Sequence, residues 1–360
     1  MSSCVTPLVA CIVGLATATG ACSRDSPPTR AALPSTKGSA VATATGSTAT
    51  TATAASAPTA AASIASDEPA DAGCGLSPLA ARRPAPKRLI AIGDVHGDLG
   101  AARAALRAGG AIDERDAWIG GDLVVVQVGD VLDRGDDEQA IFDLFEKLEG
   151  QAAKAGGALV WLLGNHELMN AARDFRYVTP GAMRDFDDAP GVDPATGPAD
   201  APAEQRGRIA ALAPGGVYAK VMAEQNVWAI VGDTLFAHAG MAGPWTTQLG
   251  LANRSARCWL AGKGGAEPPP VFTDDEGPMW TRVWGGDEVD CDAFKAALGK
   301  LGVARMVVGH TVQASGANSK CDGALWRIDV GLSKYYGENP IQVLEIAGGT
   351  AKVVDGTRLP

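Results

Sequence analysis

Histidine is scarce in this chain: there are only four among 360 residues, against 45 glycines and 41 aspartates and glutamates. All four, His96, His166, His238 and His310, stand in short segments that follow apolar runs. A single histidine in such a place is more often a hydrogen-bonded structural residue than a ligand. Four histidines in one context instead indicate a shared chemical role.

Positive charge is also in short supply. The chain has 31 lysines and arginines, a formal net charge of -10 and a pI near 4.9. Nucleic-acid scaffolds need a basic surface, so we expect no nucleic-acid partner. A phosphate site can still be locally positive where bound divalent ions supply the charge.

The seven cysteines include no CxxC pair, which argues against a zinc ribbon. Cys74, Cys258, Cys291 and Cys321 lie outside the N-terminal leader. In an oxidising compartment this even number permits disulfides, and a Cys291–Cys321 or a Cys258–Cys291 bridge is compatible with the sequence. Buried free thiols are the alternative, because connectivity cannot be read from sequence.

The apolar run nearest the N terminus, residues 8–15, is too short to span a bilayer comfortably. It ends in small residues at Thr19-Gly20-Ala21-Cys22, which is typical of a removed export signal. The same ending resembles a bacterial lipobox, in which Cys22 would carry lipid, although Thr19 replaces the preferred Leu and no basic residue precedes the run. We therefore predict a signal peptide over residues 1–22 and an exported bacterial protein, either periplasmic or anchored to a membrane through Cys22.

Residues 23–80 are predicted to form a linker. As far as about Gly73 the composition is dominated by Ala, Thr, Ser and Pro, which cannot offset the entropy cost of ordering a backbone. Such a linker would suit a domain held off a membrane surface, or it is a disordered tail without a specific task. The remaining residues, 81–360, are long enough for one α/β catalytic domain with a sizeable core.

Five apolar segments each lead to a potential ligand beside a glycine. The pairs are residues 89–92 with Gly93-Asp94-Val95-His96, residues 124–128 with Gly129-Asp130, residues 159–163 with Gly164-Asn165-His166, residues 227–236 with His238-Ala239-Gly240, and residues 306–308 with Gly309-His310. Open α/β sheets hold ligands at the carboxyl ends of their strands. Asp, His and Asn side chains there indicate a site for Mn, Fe or Zn rather than Ca.

The pattern between these runs predicts helices over residues 99–108 and 137–153, and a late hairpin from 341–346 to 351–354. The predicted fold is α/β, with two packed mixed β-sheets flanked by helices on their outer faces. Two irregular stretches, residues 184–208 and 262–278, are expected at the surface.

The motifs GDVHGD, GDVLDRG, GNHELMN, HAG and GHT, in this order, resemble the phosphoprotein-phosphatase branch of the calcineurin-like metallophosphoesterases. Arg176-Tyr177-Val178, residues 277–282, Asp329-Val330-Gly331 and Tyr335-Tyr336-Gly337 are similar to the Shewanella-like phosphatases within that branch. The resemblance covers roughly residues 87–348 and implies the metallophosphoesterase sandwich fold.

The resemblance also implies two divalent metal ions, with Mn, Fe or Zn all compatible. Asp94 and His96 would hold the first ion, and Asp130 would bridge both. The second ion would be completed by Asn165, His238 and His310.

His166 would then remain unligated and protonate the leaving oxygen, oriented by Asp133. Arg134 would clamp phosphate oxygens, and Asn165 would contact them too. Arg282 is a second predicted clamp, with a surface salt bridge as the alternative. Two further carboxylates, Asp98 and Glu167, are expected to support the turns rather than react.

These roles predict a binuclear metal-dependent phosphomonoesterase that works by direct attack of a metal-bridging hydroxide. The leading substrate is a phosphoprotein carrying phosphotyrosine, phosphoserine or phosphothreonine. A small-molecule phosphatase or dinucleoside polyphosphate hydrolase is the alternative. A tethered, non-enzymatic binding module is a third reading, against which the complete ligand set argues. We expect a monomer, which a lipid on Cys22 would tether to a membrane.

Overall fold

The computed structural model describes residues 74–359; the predicted signal peptide and residues 23–73 lie outside the described residues. Within residues 74–359 the strands are β1 Arg82–Arg83, β2 Arg88–Ile92, β3 Val124–Gln127, β4 Ala158–Trp161, β5 Trp228–Val231, β6 Thr234–Ala237, β7 Arg305–Val308, β8 Asn318–Lys320, β9 Leu325–Arg327, β10 Ile341–Ala347 and β11 Thr350–Gly356. The α-helices of the same part are α1 Leu99–Ala108, α2 Glu138–Lys154, α3 Asn165–Ala171, α4 Arg206–Leu212, α5 Val217–Met222, α6 Leu249–Leu260, α7 Pro270–Thr273 and α8 Cys291–Leu301.

The strands form two mixed sheets. One has the order β11-β10-β2-β3-β4, and the other has the order β1-β5-β6-β7-β9-β8. Strands β2, β3 and β4 run parallel in the first sheet, as do β6, β7 and β9 in the second. The predicted fold class, two mixed sheets with flanking helices, is confirmed.

The central strands are apolar except at an end residue, such as Arg88 in β2 and Gln127 in β3, because both of their faces are covered. In β2, Ile90 and Ile92 pack in the core under the helices, while Leu89 and Ala91 pack in the smaller core between the sheets. Phe236 and Val307 reach the same inter-sheet core from the second sheet. This double covering removes the apolar/polar alternation that a half-exposed strand would show.

The chain before β1 is attached to the body. Cys74 is disulfide-bonded to Cys258 on α6, and Arg257 donates a hydrogen bond to the Ser77 carbonyl at 2.8 Å. Contacts with the folded body thus begin before the predicted boundary at residue 81. A second bridge joins Cys291 to Cys321, which confirms one of the two pairings suggested from the sequence. The other suggested pairing, Cys258–Cys291, is wrong. Among the described helices, none is both long and apolar enough to cross a bilayer.

The irregular stretch 184–208 lies only partly at the surface. Most of residues 188–205 are exposed or half-buried, but Phe186 and Arg208 are fully buried. The expectation of a surface loop is therefore wrong at the two ends of this stretch.

Candidate metal centre

The polar turns meet where the parallel strands of the two sheets end. Turns after β2 and β3 and the first residues of α3 come from one sheet, while turns after β6 and β7 come from the other. The side chains brought together and buried there include Asp94, His96, Asp130, Asn165, His166 and His238, with His310 beside them. Parallel strands place their carboxyl ends at one edge, which explains this convergence.

Glycines in these turns make room for the carboxylates. A Cβ on Gly164 would lie 2.1 Å from Asp130 Oδ1, and a Cβ on Gly309 would lie 2.2 Å from Asp94 Oδ1. Any larger residue would have to displace a buried carboxylate. This close approach explains the glycines at positions 164 and 309, whereas a Cβ at Gly93 or Gly129 would instead meet the backbone of a neighbouring turn.

Three acceptor atoms face one another beside the second sheet. His238 Nε2 lies 2.8 Å from Asn165 Oδ1 and 3.1 Å from His310 Nδ1, and His310 Nδ1 lies 3.0 Å from Asn165 Oδ1. The other ring nitrogens are positioned to donate to backbone carbonyls, His238 Nδ1 to Val128 and His310 Nε2 to Trp280. Each imidazole therefore directs a lone pair at the amide oxygen of Asn165. A bound cation would remove the repulsion between these lone pairs.

Asp130 lies between the two groups of ligands. Its Oδ2 is 3.3 Å from His238 Nε2, 3.7 Å from His96 Nε2 and 3.8 Å from His166 Nε2. Two groups with metal-ligand spacing share this carboxylate, one with His96 and His166 and the other with His238 and His310. The sharing agrees with the predicted bridging role, but the geometry also brings His166, predicted to stay unligated, within reach of a cation.

Asp94 and Asp329 add buried negative charge. Neither Asp94 Oδ1 nor Asp329 Oδ2 has a hydrogen-bond partner among the described residues. Burial, and then the charges of Asp329 and Asp130, raise the pKa of Asp94 well above its usual range, and burial raises the pKa of Asp329 to about 6. Burial also lowers the pKa of His96 to about 3, so this ring is neutral at pH 7. Crowded carboxylates with free oxygens and neutral imidazoles fit a pair of divalent cations.

The turn after β3 is bent through left-handed backbone at Asp130 (φ 59°), Asp133 (φ 70°) and Arg134 (φ 70°). Two buried carboxylates hold it. Glu167 accepts from the backbone N–H groups of residues 130, 131, 132 and 164, and Glu138 accepts from that of Asp133. The expectation that Glu167 supports its loop is confirmed. Asp98 likewise caps α1, accepting from the Ala101 N–H at 2.9 Å.

His166 and Asp133 form a buried pair beside this turn. His166 Nδ1 lies 2.5 Å from Asp133 Oδ2, which leaves Nε2 facing Asp130 and the metal ligands. Burial disfavours the charged ring, but the Asp130 and Asp133 carboxylates outweigh it and raise the pKa of His166. The structure thus brings together the two residues that the sequence paired.

The two predicted phosphate clamps lie on different sides of the cluster. The Arg134 guanidinium carbon is 4.6 Å from the ring centre of Tyr177, 5.0 Å from that of Tyr335 and 5.3 Å from that of Tyr336. Arg282, on the His310 side, donates to Thr311 Oγ1 at 3.1 Å. Three aromatic rings thus lie within cation–π distance of the Arg134 guanidinium, whereas Arg282 is exposed.

Sequence reasoning assigned no role to three buried site residues. Asp329 follows β9 as the predicted ligands follow their strands, but Arg327 interrupts the apolar run that would have marked it. Asn170 stands one helical turn after His166, and its Nδ2 donates to Asp133 Oδ1 at 2.9 Å. Arg208 comes from the irregular stretch and carries no local signal at all.

Comparisons with known proteins agree with this geometry. The family model described as calcineurin-like phosphoesterase matches residues 87–314. Shewanella-like protein phosphatase 2 of Arabidopsis thaliana is 40% identical over 296 residues, which cover 72% of this chain and 75% of that protein. Shewanella-like protein phosphatase 1 of Plasmodium berghei is 27% identical over 282 residues, 74% of each chain.

Among solved structures, the cold-active protein-tyrosine phosphatase of a psychrophilic Shewanella species has the same fold. It aligns with a TM-score of 0.59 at 20% identity, over 77% of this chain and 82% of that one.

Metallophosphoesterases use two divalent metal ions, and the buried His and Asp groups here could hold them. The enzyme class that follows is a metal-dependent phosphatase, which hydrolyses phosphate esters. By the match of its family model and by its curated relative, this chain belongs to the calcineurin-like phosphoesterase family.

Proposed function

We propose that this enzyme is a protein phosphatase acting on phosphorylated tyrosine, serine or threonine residues. The observation that carries the proposal is the His166–Asp133 pair, which faces the metal ligands on one side and Arg134 on the other. A cleft of about 740 Å³ continues outward from Arg134 between Arg103, Thr179 and Tyr335, and offers room for residues flanking a phosphorylated side chain. The names of the relatives, which are protein phosphatases, support the same substrate class.

We assign the metal ligands as the sequence did. Asp94 and His96 hold one ion, Asp130 bridges, and the second ion is held by Asn165, His238 and His310. When bound, such an ion pair neutralises phosphate charge and makes water nucleophilic at neutral pH. Mn, Fe and Zn all suit this mixed oxygen and nitrogen donor set, and manganese is our first choice for reconstitution.

His166 is the proposed general acid. Asp133 accepts its Nδ1–H, so the second proton of the charged ring is held at Nε2, on the side of the metal ligands. There it can pass to the leaving oxygen as the phosphorus–oxygen bond breaks. The carboxylates of Asp130 and Asp133 raise the pKa of His166, which favours the protonated ring.

Arg134 is the proposed phosphate clamp, because a guanidinium matches two phosphate oxygens at once. Tyr177, Tyr335 and Tyr336 fix its direction. Arg282 and Asn165 contribute further contacts from the His310 side.

The experiment combines a substrate panel with the His166→Ala variant. Manganese-loaded enzyme is expected to hydrolyse phosphotyrosyl and phosphoseryl peptides faster than diadenosine tetraphosphate. His166→Ala should keep its metals but slow esters with poor leaving groups by about 10²–10⁴-fold. A wild-type preference for the dinucleotide would overturn the protein substrate, and an unchanged rate in the variant would remove His166 from the acid role.

We also propose that the protein is exported and acts as a monomer, tethered through Cys22. Two disulfides in the described part of the chain support export, because such bonds persist in oxidising compartments. Cell fractionation of wild type and Cys22→Ser tests the tether: the variant should leave the membrane fraction. Membrane association that survives Cys22→Ser would exclude lipidation at this residue.

A further inference from the structure

Arg208 on α4 is a charged residue in the interior of the described fold. Its side chain is fully buried, and so are the carboxylates of Glu138 and Asp133 beside it. Burying a guanidinium costs several kcal/mol unless charges and hydrogen bonds compensate it. The groups that Arg208 contacts therefore indicate which role its buried charge has.

The Arg208 guanidinium contacts three groups that support or form the His166–Asp133 pair, and its Nη1 also donates to the Ala182 carbonyl at 2.9 Å. Both Nη atoms donate to Glu138, the carboxylate that accepts the Asp133 backbone N–H. Nε donates to Asn170 Oδ1 at 2.8 Å. Nη2 also lies 3.4 Å from Asp133 Oδ1, a weak hydrogen bond but a close charge contact.

These contacts divide the two oxygens of Asp133 between separate tasks. Asp133 Oδ1 is held by Asn170 Nδ2 and approached by Arg208, so Oδ2 is left for His166. Asn170 Nδ2 also donates to the His166 carbonyl at 2.9 Å. Arg208 thus holds Asp133 in three ways. Glu138, which Arg208 binds, accepts the Asp133 backbone N–H, and Asn170, which Arg208 also binds, donates to the Asp133 carboxylate. The guanidinium itself lies close to that carboxylate.

We propose that Arg208 is a positioning residue for proton transfer to the leaving group, acting through Asp133 and Asn170 on His166. The inference rests on the proposed acid role of His166. A hydrophobic core would have met the needs of folding alone, since buried ion pairs are often replaceable without loss of stability. A network joined to the catalytic pair at three points instead predicts a specific kinetic defect when it is disturbed.

The defect should depend on the leaving group. Arg208→Lys keeps the charge but cannot reach all three partners, and a displacement of about 1 Å in a catalytic group costs up to about 10²-fold. We expect kcat for an alkyl ester, a phosphoseryl peptide, to fall about 10- to 100-fold. Hydrolysis of p-nitrophenyl phosphate, whose leaving group needs little protonation, should fall much less.

The deciding measurement is a double-mutant cycle with His166→Ala. If Arg208 acts through His166, Arg208→Lys should cause no further loss on the phosphoseryl peptide in the His166→Ala background. The matched control is Arg257→Lys. Arg257 is a second buried arginine, on α6, that donates to the backbone carbonyls of Ala223 and Ser77, and its replacement should leave the ratio of the two esters unchanged. If Arg208→Lys does not fold, the double variant Arg208→Met/Glu138→Gln takes its place in the cycle, because it removes both buried charges together.

Two results would overturn the role of Arg208. One is an equal loss on both esters, and the other is an additive loss in the His166→Ala background. Failure of the proposed function looks different, because then the metal-loaded wild type hydrolyses neither ester or His166→Ala is as active as wild type.

Discussion

The hydrogen bonds of the histidines show how single residues are prepared for metal. Three imidazoles of the centre each direct one ring nitrogen at a backbone carbonyl, His96 at Leu132 and the other two at Val128 and Trp280. This fixes the tautomer and leaves the second nitrogen as a ligand. His166 differs, because its Nδ1 meets the Asp133 carboxylate instead. The partner of each ring thus separates the three proposed ligands from the proposed acid.

Asp130→Asn is expected to abolish turnover. The variant removes the one carboxylate shared by both groups of ligands, so metal content should fall from two ions per chain. Elemental analysis of the purified protein alongside phosphatase assays would measure both effects. Asp143→Asn, on the exposed side of α2, is the control, and full metal content in Asp130→Asn would contradict the bridging role.

Glu167→Gln is expected to destabilise the fold by about 1–3 kcal/mol, because an amide nitrogen would face backbone donors that now share a carboxylate. Urea unfolding of the metal-free protein measures the loss directly. Glu146→Gln on exposed α2 surface provides the comparison, and equal stabilities would show that the turn holds itself without Glu167.

Residue roles could be predicted where a short motif carried them and not where long-range packing did. Asp94, His96 and Asp130 stand beside glycines directly after strands, so sequence alone indicated them. Arg208 reaches Asp133 from 75 residues away, through an irregular stretch whose composition suggests only a loop. No local pattern encodes that contact.

At the scale of the elements, the same strands serve two cores. Apolar runs at residues 124–128 and 159–163 predicted strands because β-branched and leucine side chains fill both faces. Their boundaries shifted by one or two residues, to β3 Val124–Gln127 and β4 Ala158–Trp161. The residues beyond the strand ends, Val128, Leu162 and Leu163, still pack in the cores, so their apolar character does not mark where the strands stop. Residues 99–108 form α1 as predicted, with Asp98 as its cap.

Helix α2 carries a half-buried acid outside the site, Glu149, near Arg83 and Gln225. Burial raises the pKa of Glu149 to about 7. Between pH 4.5 and 7 the unfolded chain ionises this group while the folded protein keeps it protonated, so its contribution to stability is lost as pH rises. The penalty at pH 8 is about 1–2 kcal/mol after allowance for partial exposure.

Glu149→Gln should therefore raise the melting temperature relative to wild type at pH 8 and leave it unchanged near pH 4.5. Thermal unfolding at both pH values, with Glu146→Gln as the exposed control on the same helix, measures this. A pH-independent difference between Glu149→Gln and wild type would refute the raised pKa.

For the whole molecule, two disulfides close loops of very different length. The Cys74–Cys258 bridge spans 184 residues and the Cys291–Cys321 bridge spans 30. A longer loop removes more entropy from the unfolded chain, so the first bridge should stabilise more, by about 1.6 kcal/mol. Sequence alone left this connectivity open, because only the folded chain brings Cys74 beside α6.

Paired Cys→Ala variants test this difference. Removing Cys74 and Cys258 together should lower the free energy of unfolding more than removing Cys291 and Cys321. Chemical denaturation under non-reducing conditions gives both values. The reverse order would mean that native contacts around the bridges, and not loop closure, decide their contribution.

The central claim is that turns from both sheets hold two cations around Asp130 while His166 stays free to donate a proton. Anomalous diffraction from crystals grown with Mn²⁺ and phosphate tests it most directly. The account predicts two ions that share Asp130, one with Asp94 and His96, the other with Asn165, His238 and His310, and His166 Nε2 within hydrogen-bond reach of the phosphate. A single ion, or an ion coordinated by His166, would contradict it.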